Sequence, residues 1–122
     1  MKRSMAAVAA AFAMAVTPAV HAQSHGGRVI KTKVATYELV AHKDLVVIWV
    51  EKPGRGFTTQ GTVAGMVIRD SAGQVQDKSK LLPGNGNTLQ ARGPFRMGHG
   101  SRITATVTLP RQPREELTWT MR

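Results

Sequence analysis

Histidine is the residue type in this sequence best suited to chemistry, and its placement points to metal binding. If the chain is cut after Ala22, the new terminus reads Gln23-Ser24-His25. A free amine, two deprotonated backbone amides and an imidazole then offer four nitrogens in one plane, the coordination that Cu(II) and Ni(II) prefer. The arrangement requires that cut, and it requires that Gln23 keep its amine and not cyclise. The ordinary alternative is that His25 simply lies near a frayed terminus. His99 follows Met97 in a Met-x-His pair. Thioether and imidazole together suit copper, although methionine is as often a filler of core gaps. His42 falls in a turn and reads as an exposed polar residue. The expected ligands are therefore His25 with Gln23 and Ser24, aided by His99 and Met97. The expected cofactor is copper or another divalent transition metal, or none.

The other reactive residue types offer no catalytic set. Most of Glu38, Asp44, Glu51, Asp70, Asp77, Glu115 and Glu116 fall at strand ends or outward positions, and no two are spaced as an acid/base couple. The serines lack the strand–turn–helix setting of a nucleophile elbow. Lys52-Pro53-Gly54-Arg55-Gly56 is glycine-rich, but no Lys-Ser and no helix follow, so it is not a phosphate loop. The chain has no cysteine, which excludes thiol catalysis, thiolate zinc sites and iron–sulfur clusters. The chain is expected to be non-enzymatic.

The metal reading depends on an amino-terminal export signal. Lys2 and Arg3 give a positive start, Met5 to Val16 is an uncharged apolar run, and Thr17-Pro18 breaks it. Val20-His21-Ala22 then places small residues at the −3 and −1 positions of a cut. The run is shorter than the roughly 20 apolar residues a membrane span needs, and charges interrupt every later apolar run. The expected organisation is a signal peptide over 1–22 and one periplasmic domain over 23–122, without a membrane span.

Seventeen Lys and Arg stand against seven Asp and Glu. Lys2 and Arg3 leave with the signal, so the net charge falls from +10 to about +8. A basic balance suits nucleic acid, an anionic membrane surface or an acidic partner. Export argues against nucleic acid, as does the scatter of the basic residues among only six aromatics. A solvated basic surface is the simpler reading.

The elements that must position these residues are strands. The helical period is absent and β-branched residues are common. Strands are predicted over Gly27–Lys33, Ala35–Ala41, Leu45–Glu51, Thr62–Asp70, Gln74–Leu82, Thr88–Arg92, Arg102–Leu109 and Glu116–Met121. Leu45–Glu51 is nearly continuously apolar and reads as central. Gln74–Leu82 is polar and reads as an edge, where Lys78 and Lys80 discourage further pairing. Tyr37, Leu39 and Ala41 share one face, with Thr36, Glu38 and Val40 on the other. Ile103, Ala105, Val107 and Leu109 point inward between outward threonines. Phe95 and Met97 tuck inward from their loop. Seven or eight short strands of this kind predict an all-β fold, an antiparallel Ig-like β-sandwich.

From His25-Gly26-Gly27 onward the chain resembles a group of small bacterial periplasmic domains that open with His-Gly-Gly. These occur alone or at the front of the adaptor proteins of heavy-metal RND efflux pumps. The resemblance continues through Tyr37-Glu38-Leu39-Val40, the Leu81–Leu89 segment, Ala91-Arg92-Gly93-Pro94-Phe95 and Thr104–Pro110. It implies a periplasmic β-sandwich with a tie to copper, zinc or cobalt, and it carries His25 over as a ligand. Many such domains have an acidic or His-bearing segment after the third strand, where this chain has the basic Glu51–Phe57 stretch. The expected function is thus a metal-binding or metal-resistance accessory, partnered by an envelope protein such as an efflux component. The alternative is an interaction module that docks an envelope partner or an anionic surface through its basic face.

Overall fold

The computed structural model describes residues 25–52 and 57–122. The expected signal peptide, Gln23, Ser24 and residues 53–56 of the glycine-rich loop lie outside the described residues.

The described chain is all-β, with eight strands: β1 (Arg28–Lys31), β2 (Thr36–Ala41), β3 (Leu45–Glu51), β4 (Val63–Arg69), β5 (Val75–Pro83), β6 (Thr88–Arg92), β7 (Arg102–Thr108) and β8 (Glu115–Thr120). Every pairing is antiparallel, and the strand order is β1-β2-β3-β6-β5-β4-β7-β8. The expected sandwich therefore takes the form of one continuous sheet folded over a single core. β5 is the strand that passes between the two halves. Its Val75–Leu81 part pairs with β4, whereas only Leu82 and Pro83 pair with β6.

The edge assignment for Gln74–Leu82 thus holds for Val75–Leu81, which pairs on one side only, and fails at the end of the strand. The Pro83–Asn87 turn is tight, with the Gly84 amide donating to the Thr88 carbonyl at 2.9 Å, so the end of β5 is returned directly against β6. The earlier part of β5 does lack a second strand, and Arg96 meets it instead. The Arg96 amide donates to Asp77 Oδ2 at 2.6 Å, and its guanidinium donates to the Gln76 carbonyl. The true edges are β1 and β8, which side chains draw together. Trp119 Nε1 donates to the Arg28 carbonyl at 3.2 Å. Glu115 Oε1 accepts from Tyr37 Oη at 2.8 Å and from Thr32 Oγ1 at 2.9 Å. Burial, followed by the bond to Glu115 and its charge, pushes the Tyr37 phenol well above its ordinary range, so Tyr37 remains a donor.

Period-2 alternation places the core. Tyr37, Leu39, Val46, Ile48, Val50, Leu89 and Ala91 from one half meet Met66, Ile68, Leu81, Ile103, Ala105, Val107, Leu117 and Trp119 from the other. The inward threesome of β7, the central position of β3 and the burial of Phe95 follow the sequence pattern, and Met97 packs against the core from its loop. Burying such side chains stabilises by roughly 1.5–3 kcal/mol each before conformational entropy is counted.

Candidate functional site

The β2–β3 hairpin sets the site. His42 and Leu45 exchange main-chain hydrogen bonds around Lys43-Asp44, and the register that follows places Glu38 opposite Trp49. Both lie on the face of the sheet away from the core, because Tyr37, Leu39, Ile48 and Val50 take the inward positions. An outward carboxylate would ordinarily be solvated. Glu38 is instead only 3% exposed, and the amino-terminal segment that runs over it is the reason.

Three donors of that segment converge on the one carboxylate. The His25 amide reaches Glu38 Oε2 at 3.0 Å, the Gly27 amide reaches the same oxygen at 2.8 Å, and His25 Nδ1 lies 2.9 Å from Oε1. The imidazole also stacks on Trp49, with ring centroids 3.6 Å apart and planes 2° from parallel. Burial alone would raise the Glu38 carboxyl. The bonds from the His25 ring, the Gly27 amide and the His25 amide outweigh it and hold the group below the usual carboxylate range. An ionised carboxylate only accepts hydrogen bonds, so His25 Nδ1 carries a proton in this arrangement.

The two glycines make the approach feasible. Gly26 has φ +74°, a conformation that L side chains rarely adopt. A Cβ on Gly27 would stand 2.4 Å from the Leu39 carbonyl oxygen and 2.9 Å from Glu38 Cγ. The main chain at position 27 lies so close to β2 that only glycine fits. The His-Gly-Gly sequence is thus one device: an imidazole to cover Trp49 and bind Glu38, a turn, and a close backbone contact.

The sequence-derived ligands do not gather into one set. His25 contacts Glu38 and Trp49 on β2 and β3. Met97 and His99 line a different depression, with Asp70, Ser71, Gln76, Arg96 and Ser101, beside the β4–β5 turn. His99 is exposed there and Met97 half-buried, while His42 is exposed in its turn. Among the described residues, no group of three or more His, Asp or Glu side chains is placed to hold a metal ion. Of the four nitrogens expected at the amino terminus, the two that belong to His25 are both bonded to Glu38.

Glu38 and Trp49 were not among the candidate residues read from the sequence. The signal was available: a two-residue loop at Lys43-Asp44 pairs position 42 with 45 and therefore 38 with 49. What the pattern does not contain is the return of the amino-terminal segment over that pair.

Comparison with models of known protein families and with curated proteins finds no match. Among solved structures, the chain is similar to an endonuclease/exonuclease/phosphatase from Beutenbergia cavernae DSM 12333, with 17% identity and a TM-score of 0.38. The likeness covers 78% of this chain and 26% of that one, so the chain spans about a quarter of that protein's length. At that TM-score the likeness bears on neither fold nor activity.

Proposed function

We propose that this chain is a non-enzymatic periplasmic protein that binds a copper-type metal through its amino terminus and acts as an accessory in metal resistance. The observation that carries the reading is the place of His25, third after the expected cut at Ala22; the structure adds that both His25 atoms that a planar amino-terminal metal site would use face one buried carboxylate, that of Glu38. Such a site takes the backbone nitrogen and Nδ1 of His25 after each has lost a proton. Here the same two atoms are proton donors to Glu38. Metal and carboxylate therefore compete for His25, and the dock on Glu38 and Trp49 holds the segment in the metal-free protein. The remaining donors would come from Gln23 and Ser24. Copper would supply strong binding of deprotonated amide nitrogen, which few other divalent ions match. The resemblance to the His-Gly-Gly periplasmic domains of metal efflux adaptors supports the same reading and suggests an envelope partner of that kind.

The test is a Cu(II) titration of protein recovered after export, followed by tryptophan emission and by the visible spectrum of the bound ion, with intact mass locating the terminus. His25→Ala is expected to lose the planar-nitrogen absorption and at least about 100-fold in affinity. Equal binding by both proteins, or by neither, would end the metal reading.

A second reading has its own observation. On the outer face of β4, β5 and β7, Arg69, Lys78, Lys80 and Arg102 form no ion pair among the described residues, which favours docking to an anionic surface.

A further inference from the structure

The outward residues of β4, β5 and β7 form a continuous face of unusual composition. Register places Val67 between Lys78 and Thr104, Gly65 between Lys80 and Thr106, and Arg69 opposite Arg102. Gly65 contributes no side chain, so a shallow depression opens there, lined by Lys78, Lys80, Arg69, Thr104, Thr106 and a single acid, Glu116. A second depression adjoins it across β5 and shares Ser79 and Lys80, adding Leu82 and Arg92.

Two features set this face apart from an ordinary solvated basic surface. Arg69 and Arg102 stand directly opposite one another. Like charges in that position oppose sheet pairing, and neither makes an ion pair with a described residue. Beside the cations lie two large aliphatic side chains turned to solvent: Val63 is 73% exposed and Leu82 is 60% exposed. Ala64 pairs with Leu81, after which Leu82 pairs with Gln90 of β6, so Val63 and Leu82 both lie at the end of this outward face next to Gly65 and Lys80. Isolated exposed aliphatics are common. Exposed aliphatics at one end of a face, with Lys80 and Arg92 sharing a depression with Leu82 and Lys78, Arg69 and Arg102 further along it, form the pattern of a surface that presses apolar groups into a bilayer interface while its cations meet lipid phosphates.

We infer that this face is a docking site for an anionic lipid bilayer, held by Arg69, Lys78, Lys80, Arg92 and Arg102 with Val63 and Leu82 as shallow insertions. The inference rests on the second reading above and narrows it from any anionic surface to a membrane. The charge complementarity is with the phosphate headgroups, and the exposed aliphatic pair is what a soluble acidic partner would not require. The site is separate from the His25 dock, which lies on β2 and β3.

Co-sedimentation with vesicles tests it, using neutral phosphatidylcholine and mixtures containing phosphatidylglycerol. All proteins compared carry the same amino terminus, so differences report the face alone. The wild type is expected to pellet with the anionic vesicles only and to be released above physiological salt. Lys78→Glu with Lys80→Glu should weaken binding by about 25-fold or more, at about fivefold per basic residue. Val63→Ser with Leu82→Ser, both at exposed positions, should weaken it several-fold without changing its salt dependence. Equal pelleting with neutral vesicles, or a Val63/Leu82 variant that binds like wild type, would overturn the membrane assignment. Binding to soluble polyphosphate without vesicle binding would also overturn it but leave the basic docking reading standing. Binding to neither would end both.

Discussion

The two outward faces of this sheet handle charge in opposite ways. On β2 and β3, a single carboxylate is buried and collects three hydrogen bonds from a segment that only glycine allows to approach. On β4, β5 and β7, several cations are left in water, one pair of them directly opposed. The first face has satisfied its polar group within the protein and gains stability from doing so. On the second, Arg69, Lys78, Lys80 and Arg102 form no ion pair among the described residues, and the proposed docking would use those charges. Substitutions in the first should therefore change folding, and substitutions in the second should change only binding.

The comparison can be broken most severely at Gly27. Gly27→Val drives a branched side chain into the Leu39 carbonyl and Glu38, so β1 must leave its place. We expect a loss of about 3 kcal/mol in urea unfolding, with loss of the Trp49 environment in near-ultraviolet circular dichroism. A cost under about 0.5 kcal/mol would show that the close approach is not needed.

Glu38→Ala comes next. It removes the acceptor from three donors that water can partly re-solvate, for an expected cost of about 2 kcal/mol. His25→Ala keeps both main-chain donors and loses the ring bond and the stacking, so it should cost about 1 kcal/mol. The order of these two is the check, because a larger effect at His25 would place the stabilisation in the aromatic stack.

Acid should open the dock by a smaller increment. The Glu38 carboxyl lies lower in the folded chain than in the unfolded one, so the unfolded chain binds the proton more readily. The stabilisation is complete above about pH 4.3 and is lost as pH falls through the folded value. In Glu38→Gln that acid-dependent component should vanish from a stability–pH profile. The smallest effect is expected on the other face, where Lys78→Glu with Lys80→Glu should leave stability within about 0.5 kcal/mol of wild type.

Much of the fold is legible in the sequence because alternation is a direct consequence of one-sided burial. The threonine-separated Ile103, Ala105 and Val107 show this most clearly, and the turn residues between runs mark most strand ends. The place of β5 is half legible. Its lysines lie in the stretch that pairs on one side only, as edge protection would suggest, but the crossing of its end to β6 and the approach of Arg96 from a distant loop are not in the pattern. The candidate site was half legible. His25 stands out by its position, but its partners do not. Glu38 sits in an outward position that normally means solvent, and only the long-range return of residues 25–27 makes it a buried acceptor. Met97 and His99 look like a ligand pair by spacing alone, and the fold places them beside Asp70 and Arg96, away from the contacts of His25.

The proposed competition between Glu38 and metal for His25 is tested most directly by Cu(II) affinity in the wild type and in Glu38→Gln, measured on proteins with the same confirmed terminus. Neutralising the carboxylate weakens its hold on the His25 amide and ring, so Cu(II) should bind about tenfold more tightly to Glu38→Gln. Unchanged affinity would contradict the competition. Weaker affinity would show instead that Glu38 supports the ligand, as an outer carboxylate does for an imidazole bound through its other nitrogen.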